Sequence, residues 1–467
     1  MKNKYLFLAP VKRKIRFLII ALVLTMSMTL RAQLPTAQQL AGKMKVGWNL
    51  GNMLEATWIN YFATTNQRTI DSVKTAGFNT VRLPVAWFYH SNAATYVIDP
   101  NWLAHVKEVV DYCIKDSMYV IINTHWDNGW LDDHINVGDS ASVNARQHAH
   151  WTQIASYFKG YNEHLLFASA NEPPAKDANQ MSILLSYHQT FINAVRATGG
   201  NNSSRTLIIQ GPSTDVDLTY SLMNTMPKDQ IANHLMVEVH YYTPWQFCLL
   251  SSDGTNTWDQ MYYYWGKDNH STTDASRNAT WGEESDMDKY LGMMKTKFVD
   301  KGIPVIIGEY GAFRKQVLPP SNQALHNASI KSYYRYFVKS AMKMGIITYC
   351  WDTGGIINFS TGATNDRDVL SSIMQGAKDV TTATPAFKDD ALELYPNPFT
   401  TTINIKIDNP NEIDRITVFD IMGRQVENFG HSEVKNSLTI GSSLQPNMYL
   451  VCVYGTNWTK TFKVVKK

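Results

Sequence analysis

The chain has 467 residues, 44% hydrophobic and 18% charged, which is enough apolar side chain for one large and one small domain and too ordinary a balance for disorder. Its formal charge of +3 is unevenly placed: residues 1–33 carry seven Lys or Arg and no acid, so the remainder stands at −4 and gives no support to nucleic-acid binding. The four cysteines, Cys113, Cys248, Cys350 and Cys452, have no CxxC or metal-like spacing, so they define neither a disulfide framework nor a zinc site.

Residues 1–16 are basic, Phe17–Leu30 is an apolar run, and Arg31-Ala32-Gln33 follows. That is the pattern of a secretory signal over residues 1–32, too short to span a bilayer comfortably, with cleavage expected after Ala32. Gln33 is not a cysteine, which argues against a lipoprotein anchor there.

From about residue 40 to 360, short apolar runs alternate with amphipathic stretches. The runs predict strands at Met44–Leu50, Thr80–Pro84, Val120–Asn123, Leu165–Ala170, Thr206–Gln210, Leu235–Val239, Val305–Ile307 and Ile346–Tyr349. Helices are expected at Gln67–Ala76, Trp102–Lys115, Val143–Phe158, Ser182–Ala197, Ser285–Val299 and Asn322–Lys343, with those after the fifth and eighth strands short or indistinct. Eight βα units in one domain over 33–376 favour an α/β fold of the closed (β/α)8 TIM-barrel type. No GxGxxG or Walker motif follows an early strand, which counts against a nucleotide fold.

Barrel chemistry sits at the C-terminal ends of strands, and the residues there are polar or aromatic. They are Asn49, Arg82, His125-Trp126, Asn171-Glu172, His240-Tyr241-Tyr242, Glu309-Tyr310 and Trp351-Asp352. The fourth strand ends abruptly in Asn171-Glu172-Pro173-Pro174, because proline cannot extend it. A carboxylate placed at such an end is costly to bury, so it is either paired or used. Glu309 repeats the arrangement at the seventh strand, and two acids at the ends of two buried strands are what glycoside hydrolysis requires.

A stretch rich in Trp and Tyr over 235–285 reads as a long loop shaping a cleft, with rings such as Trp245, Phe247, Trp258, Trp265 and Trp281 suited to stacking on sugars. Some of these rings are expected only to pack the loop against the barrel. Residues 377–391 form a Thr-rich linker, and from Leu392 the period becomes two. Strands at Thr402–Ile407, Arg415–Asp420, Leu438–Ile440, Met448–Tyr454 and Thr459–Val465 predict a small β-sandwich over 392–467.

These motifs resemble glycoside hydrolase family 5, the cellulase family of clan A. The likeness rests on Gly47-Trp48-Asn49-Leu50-Gly51-Asn52, on Arg82 in Val81-Arg82-Leu83-Pro84, and on Asn171-Glu172-Pro173. It continues through His240-Tyr241-Tyr242, Gly308-Glu309-Tyr310-Gly311 and Trp351-Asp352, and so covers roughly residues 40–355. Two departures stand out: His125-Trp126 where the family often has His-His, and Phe167-Ala168 where it often has Phe-Glu. The resemblance implies a retaining mechanism with Glu172 as acid/base and Glu309 as nucleophile. It further implies that Arg82 and Tyr242 hold Glu309 ionised, and that Asn171 meets the substrate 2-hydroxyl. His125 and His240 bond substrate or carboxylates, and Trp351 lies under the sugar, with Asn49 and Trp126 in support. Glu172 is expected to begin protonated, through burial and the nearby Glu309 charge.

No cofactor and no metal are implied. The competing metal-dependent reading would use His125, His134, His148, His150 and His240, but His148 and His150 are two apart on a helix and point different ways. A non-hydrolytic glycan binder is the other alternative, and the presence of both carboxylates weighs against it. The expected substrate is a cellulose-like β-1,4-glucan cut at internal bonds, with mixed-linkage glucan, xyloglucan and mannan open. A monomer is expected.

The tail resembles the C-terminal sorting domain of the type IX secretion system of Bacteroidetes, through Leu394-Tyr395-Pro396-Asn397-Pro398, Val418-Phe419-Asp420-Ile421-Met422-Gly423-Arg424 and Lys463-Val464-Val465-Lys466. Asn447 stands where that family usually has a glycine. The resemblance implies that residues 392–467 engage secretion machinery, so that the protein is exported across the outer membrane to the surface or medium.

Overall fold

The computed structural model describes residues 33–56, 65–317, 319–381, 392–455 and 459–467; the expected signal segment lies outside them. Eight strands close a barrel in sequence order: β1 Val46–Asn49, β2 Thr80–Leu83, β3 Tyr119–Asn123, β4 Leu165–Ala168, β5 Leu207–Gln210, β6 Leu235–Tyr241, β7 Val305–Tyr310 and β8 Ile347–Cys350. Every neighbouring pair is parallel, and β8 returns to pair with β1 through Val46↔Thr348 and Trp48↔Cys350. The strands read as unbroken apolar runs because both faces are covered, one by the barrel interior and one by helices. Alternate residues fill the interior, among them Tyr119, Ile121, Leu166, Ile208, Ile306 and Tyr349. Ala37 and Leu40, on the short helix Ala37–Ala41, join that same core. Thr36 and Gln39 cap this helix reciprocally.

The six expected helices are present within a few residues of their predicted ends, several with an Asp or Asn cap such as Asn66, Asp99 and Asp177. The two indistinct ones are Val216–Leu222 after β5, capped by Asp215, and Arg367–Thr381 after β8. The latter helix occupies the first residues expected as linker, 377–381, and the remainder, 382–391, lies outside the described residues.

β6 and β7 run further than predicted, to Tyr241 and Tyr310, and their pairing slips. Val239 faces Ile307, but the next pair is His240 with Glu309. A second irregularity separates Ile307 from Tyr310 against β8. Bulges of this kind re-aim side chains near active sites, and here the re-aimed residue is Glu309.

A second compact unit begins after Met374. It holds a three-stranded sheet, β9 Leu392–Tyr395, β10 Ile403–Ile407 and β13 Ser437–Ile440, in the order β13-β10-β9. A four-stranded sheet runs β12-β11-β14-β15, from β11 Ile413–Asp420, β12 Gln425–Gly430, β14 Asn447–Gly455 and β15 Thr459–Lys466. Both are antiparallel and share one core, in which Ile403, Ile405 and Ile440 meet Ile416, Val451 and Val453. The expected sandwich is therefore present, with β9 and β12 in addition to the five predicted strands.

Candidate active site

Nine of the ten candidate residues converge at the C-terminal rim of the barrel. Arg82, fully buried in β2, is the hub. Its Nη1 donates to Glu309 Oε1 at 2.9 Å and to Asn49 Oδ1 at 3.1 Å, and its Nη2 donates to Asn171 Oδ1 at 2.9 Å. Asn49 is itself anchored, its amide nitrogen donating to the Gly308 carbonyl at 2.9 Å. With the Asn171 oxygen engaged by Arg82, only its amide nitrogen remains to donate.

Glu309 is buried, and its Oε2 accepts the Tyr242 hydroxyl at 3.1 Å. Glu172 has a half-exposed side chain and meets His240 Nδ1 through Oε1 at 2.7 Å. One oxygen of each carboxylate and a His240 nitrogen all lie within 4.8 Å of one another. Trp351 is half-buried beside them, its ring parallel to that of His125 with centroids 6.0 Å apart. A Cβ on Gly51 would fall 2.8 Å from the Trp351 ring, which explains that glycine in the opening motif. Trp126 is the exception. It is 44% exposed on the loop after β3, and no hydrogen bond or ring contact among the described residues ties it to the cluster.

The carboxylates and His240 shift one another strongly. Burial pushes Glu172 upward, but the hydrogen bond and charge of His240, with Arg82, hold it below the ordinary carboxylate range. At His240 burial alone would lower the ring, and the charges of Glu309, Glu172 and Glu238 overcome burial and push it up to about 9. Burial raises Glu309 against the pull of His240 and Arg82. His125 is held neutral, driven far down by burial and by the Arg82 and His240 charges.

Two acids that the sequence reading passed over belong to this cluster. Glu238, fully buried in β6, pairs with Arg82 Nε at 2.9 Å and lies 3.2 Å from His240 Nε2. Its signal was an acid inside the apolar run Leu235–Val239, the same kind of signal that singled out Glu172. Asp132, buried on the loop after β3, accepts the Glu172 backbone N–H and is pushed well up by burial and the Glu172 charge. Two further buried acids hold loops: Asp127 accepts the backbone N–H groups of Trp87, Phe88 and Tyr89, and Asp352 those of Gly354, Ile356 and Ile357.

Of the histidines considered for a metal, only His240 belongs to the group of carboxylate and imidazole ligands at the rim, with Glu172 and Glu309, among the described residues. Both of its nitrogens already face carboxylates.

Beyond Glu172 opens a cavity of about 330 Å³, lined by His240, Asp215, Asp217, Trp281 and Tyr290. Trp281 is backed by the parallel ring of Trp258, 5.5 Å away and 56% exposed. Other rings of this loop do pack inward: Phe247, Tyr264 and Trp265 are fully buried, Phe247 and Trp265 against Tyr333.

A closed parallel barrel with two carboxylates facing each other across its C-terminal mouth defines the class of glycoside hydrolases. Residues 41–355 match the family model for cellulase, glycosyl hydrolase family 5, and residues 393–467 match the secretion system C-terminal sorting domain. Endoglucanase A of Paenibacillus barcinonensis is 31% identical over 73% of this chain and 90% of its own. A xyloglucan-specific endo-β-1,4-glucanase of Bacteroides ovatus is 33% identical over 73% of this chain and 70% of its own. Among solved structures, a xyloglucan-specific β-1,4-glucanase from a ruminal metagenomic library, in complex with XXLG, is 40% identical over 74% of this chain and 96% of that one, with a TM-score of 0.68. The chain belongs to glycosyl hydrolase family 5, and it ends in a secretion sorting domain.

Proposed function

We propose that this glycoside hydrolase cuts internal β-1,4 bonds of a glucan backbone by double displacement, with Glu309 as nucleophile and Glu172 as acid/base. The observation that carries the assignment is the approach of the two acids, with oxygens within 4.8 Å. Retaining glycosidases place their carboxyl groups about 5–5.5 Å apart, whereas inverting enzymes need about 6.5–9.5 Å to admit a water.

In the first step Glu309 attacks C1 while Glu172 delivers a proton to the leaving oxygen. In the second, Glu172 takes a proton from the water that frees the sugar. Arg82 and Tyr242 present donors to the Glu309 carboxylate and fix its direction. The Asn171 amide nitrogen is placed to donate to the 2-hydroxyl, a bond that strengthens as charge develops at C1. Trp351, stacked with His125, offers a flat face beneath the sugar. Asn49 supports Arg82 and touches no substrate in this scheme, and Trp126, exposed on the rim, would meet only a longer polymer.

Xyloglucan is the favoured form of the backbone. The 40% identical structure is of a xyloglucan-specific enzyme, and the cavity of about 330 Å³ beyond Glu172 offers room for a branch. Side-by-side hydrolysis of xyloglucan, carboxymethyl cellulose, lichenan and mannan tests this reading. Xyloglucan is expected to be cut fastest, the two unbranched glucans more slowly and mannan barely; mannan cut as fast as xyloglucan would refute it.

The match of residues 393–467 to the sorting domain supports export of the activity from the cell. The signal at 1–32 and the boundaries at 376 and 392 complete the proposed organisation. Residues 392–467 then serve secretion and play no part in catalysis.

A further inference from the structure

Gln210 is the last residue of β5 and is fully buried, yet no step of a two-carboxylate reaction touches it. Its side chain spans two neighbours. Oε1 accepts the backbone N–H of Ala170 at 2.8 Å, and Nε2 donates to Glu238 Oε2 at 2.5 Å. The first partner can only donate, and the second, a carboxylate paired with Arg82, only accepts. The position therefore calls for one acceptor and one donor on a single flat group, which a primary amide supplies.

The contact with Ala170 falls where the sheet runs out. β4 ends at Ala168, and the Ser169 N–H still reaches the Ile208 carbonyl of β5 at 3.0 Å. At Ala170 the Gln210 side chain takes over from a backbone carbonyl. Ala170 is buried and stands two residues before Glu172.

The two strand ends do not need this amide to stay together. His188, on the helix Ala178–Ala197, already meets Ser169 Oγ through Nδ1 at 2.9 Å and the Gln210 carbonyl through Nε2 at 3.0 Å. What the Gln210 amide adds is a link to the charged cluster. Glu238 Oε1 lies 2.9 Å from Arg82 Nε, and Arg82 donates to Glu309 Oε1 and to Asn171 Oδ1, each at 2.9 Å. The end of β4 is thus tied, through buried hydrogen bonds, to the same guanidinium that holds Glu309.

We propose that Gln210 is a positioning residue of the reaction: it holds the end of β4 against the Glu238–Arg82 pair and so sets the reach of the Glu172 carboxyl to the leaving oxygen. This rests on Glu172 being the acid/base. Without the amide, Glu238 keeps Arg82 and His240 as partners, whereas the Ala170 N–H loses its acceptor. The β4 end is therefore the part that shifts, and proton delivery suffers more than attack by Glu309.

The test uses the full-length protein and two cellobiosides, one with a poor aryl leaving group and one with 2,4-dinitrophenolate, which departs without a proton. Gln210→Met keeps the length of the side chain and removes both bonds. On the poor leaving group its kcat/KM should fall at least about tenfold, and on the dinitrophenyl substrate it should stay within about threefold. The ratio of the two rates, taken on one sample, does not depend on the folded fraction. An unchanged ratio overturns the proposal. Gln210→Glu covers the case in which the Met variant does not fold. Buried beside Glu238, the new carboxyl takes up a proton, and its C=O and O–H then copy the amide. At about pH 5 both rates should stay within about threefold of native, and a larger fall on either overturns the proposal. Glu172→Ala, run alongside, should show the same selectivity in larger measure. If it slows both substrates alike, the acid/base assignment itself fails and the proposal falls with it.

Discussion

Gly308 lies against Glu238 so closely that a Cβ on it would stand 1.9 Å from Glu238 Oε1. The glycine before Glu309 is thus required by a buried acid on the neighbouring strand. Gly308→Ala should displace a carboxylate that Arg82, Gln210 and His240 hold in place. Overpacking of this kind costs about 1–3 kcal/mol. Thermal melting should show that loss, and kcat/KM should fall at least about tenfold. A variant with native melting and native rate would contradict this account of Gly308.

Tyr242 reaches Glu309 with a single hydrogen bond, 3.1 Å to its Oε2. Tyr242→Phe removes a donor that stabilises the Glu309 carboxylate, so the acidic limb of kcat/KM should move to higher pH. The rate should drop about tenfold to a hundredfold, chiefly in kcat. An unchanged acidic limb would show that Tyr242 serves only packing.

Much of this arrangement is legible in the sequence, for a physical reason. A strand covered on both faces is a short apolar run, so all eight barrel strands stand out, although the fourth ends at Ala168, five residues before the Pro173 expected to stop it. The acids at strand ends announce themselves by interrupting such runs. Glu238 interrupts one too, but in the middle, where position gives no hint that Arg82 and His240 will be its partners. Those contacts span 156 residues for Arg82 and arise only when β2 and β6 face each other across the barrel. The bulge that brings Glu309 opposite His240 is equally invisible, being a property of pairing between strands. In the tail, β12 is missed because none of Gln425–Gly430 is buried, which erases the alternation. The grouping of three carboxylates around His240 is also hidden, because it arises only when β4, β6 and β7 meet at one rim.

Arg196 and Asp229 form a pair remote from the cleft, with Nε–Oδ1 at 2.8 Å and Nη2–Oδ2 at 2.6 Å, both side chains almost wholly buried. Arg196 also donates to the carbonyls of Asn202 and Arg205, so it ties the end of the helix Ala178–Ala197 to the approach to β5. Breaking a buried pair by removing one partner costs about 3–5 kcal/mol. Asp229→Ala should lower the melting temperature by several degrees or more, with kcat/KM of the folded fraction unchanged. A melting temperature equal to that of the native protein would contradict the structural weight given to this pair.

His188 is buried and neutral, with Nδ1 2.9 Å from Ser169 Oγ and Nε2 donating to the Gln210 carbonyl at 3.0 Å, and burial pushes it down to about 4. In the unfolded chain a histidine titrates near 6.5, so between these values the unfolded state binds more protons and stability falls as pH falls. Replacing His188 with Gln removes that penalty. The melting gap between the native protein and His188→Gln should therefore be widest at pH 7 and narrow towards pH 4. A gap that widens on acidification would contradict a neutral buried ring.

The central claim is that Glu309 bonds covalently to the sugar while Glu172 manages the proton. A 2-deoxy-2-fluoro-β-cellobioside with a dinitrophenolate leaving group slows the second step more than the first and so traps the glycosyl-enzyme. Mass spectrometry of the digested protein should place one fluorocellobiosyl group on the peptide containing Glu309, with none on the Glu309→Gln variant. Label on Glu172 or on any other residue, or first products of inverted configuration, would contradict the account.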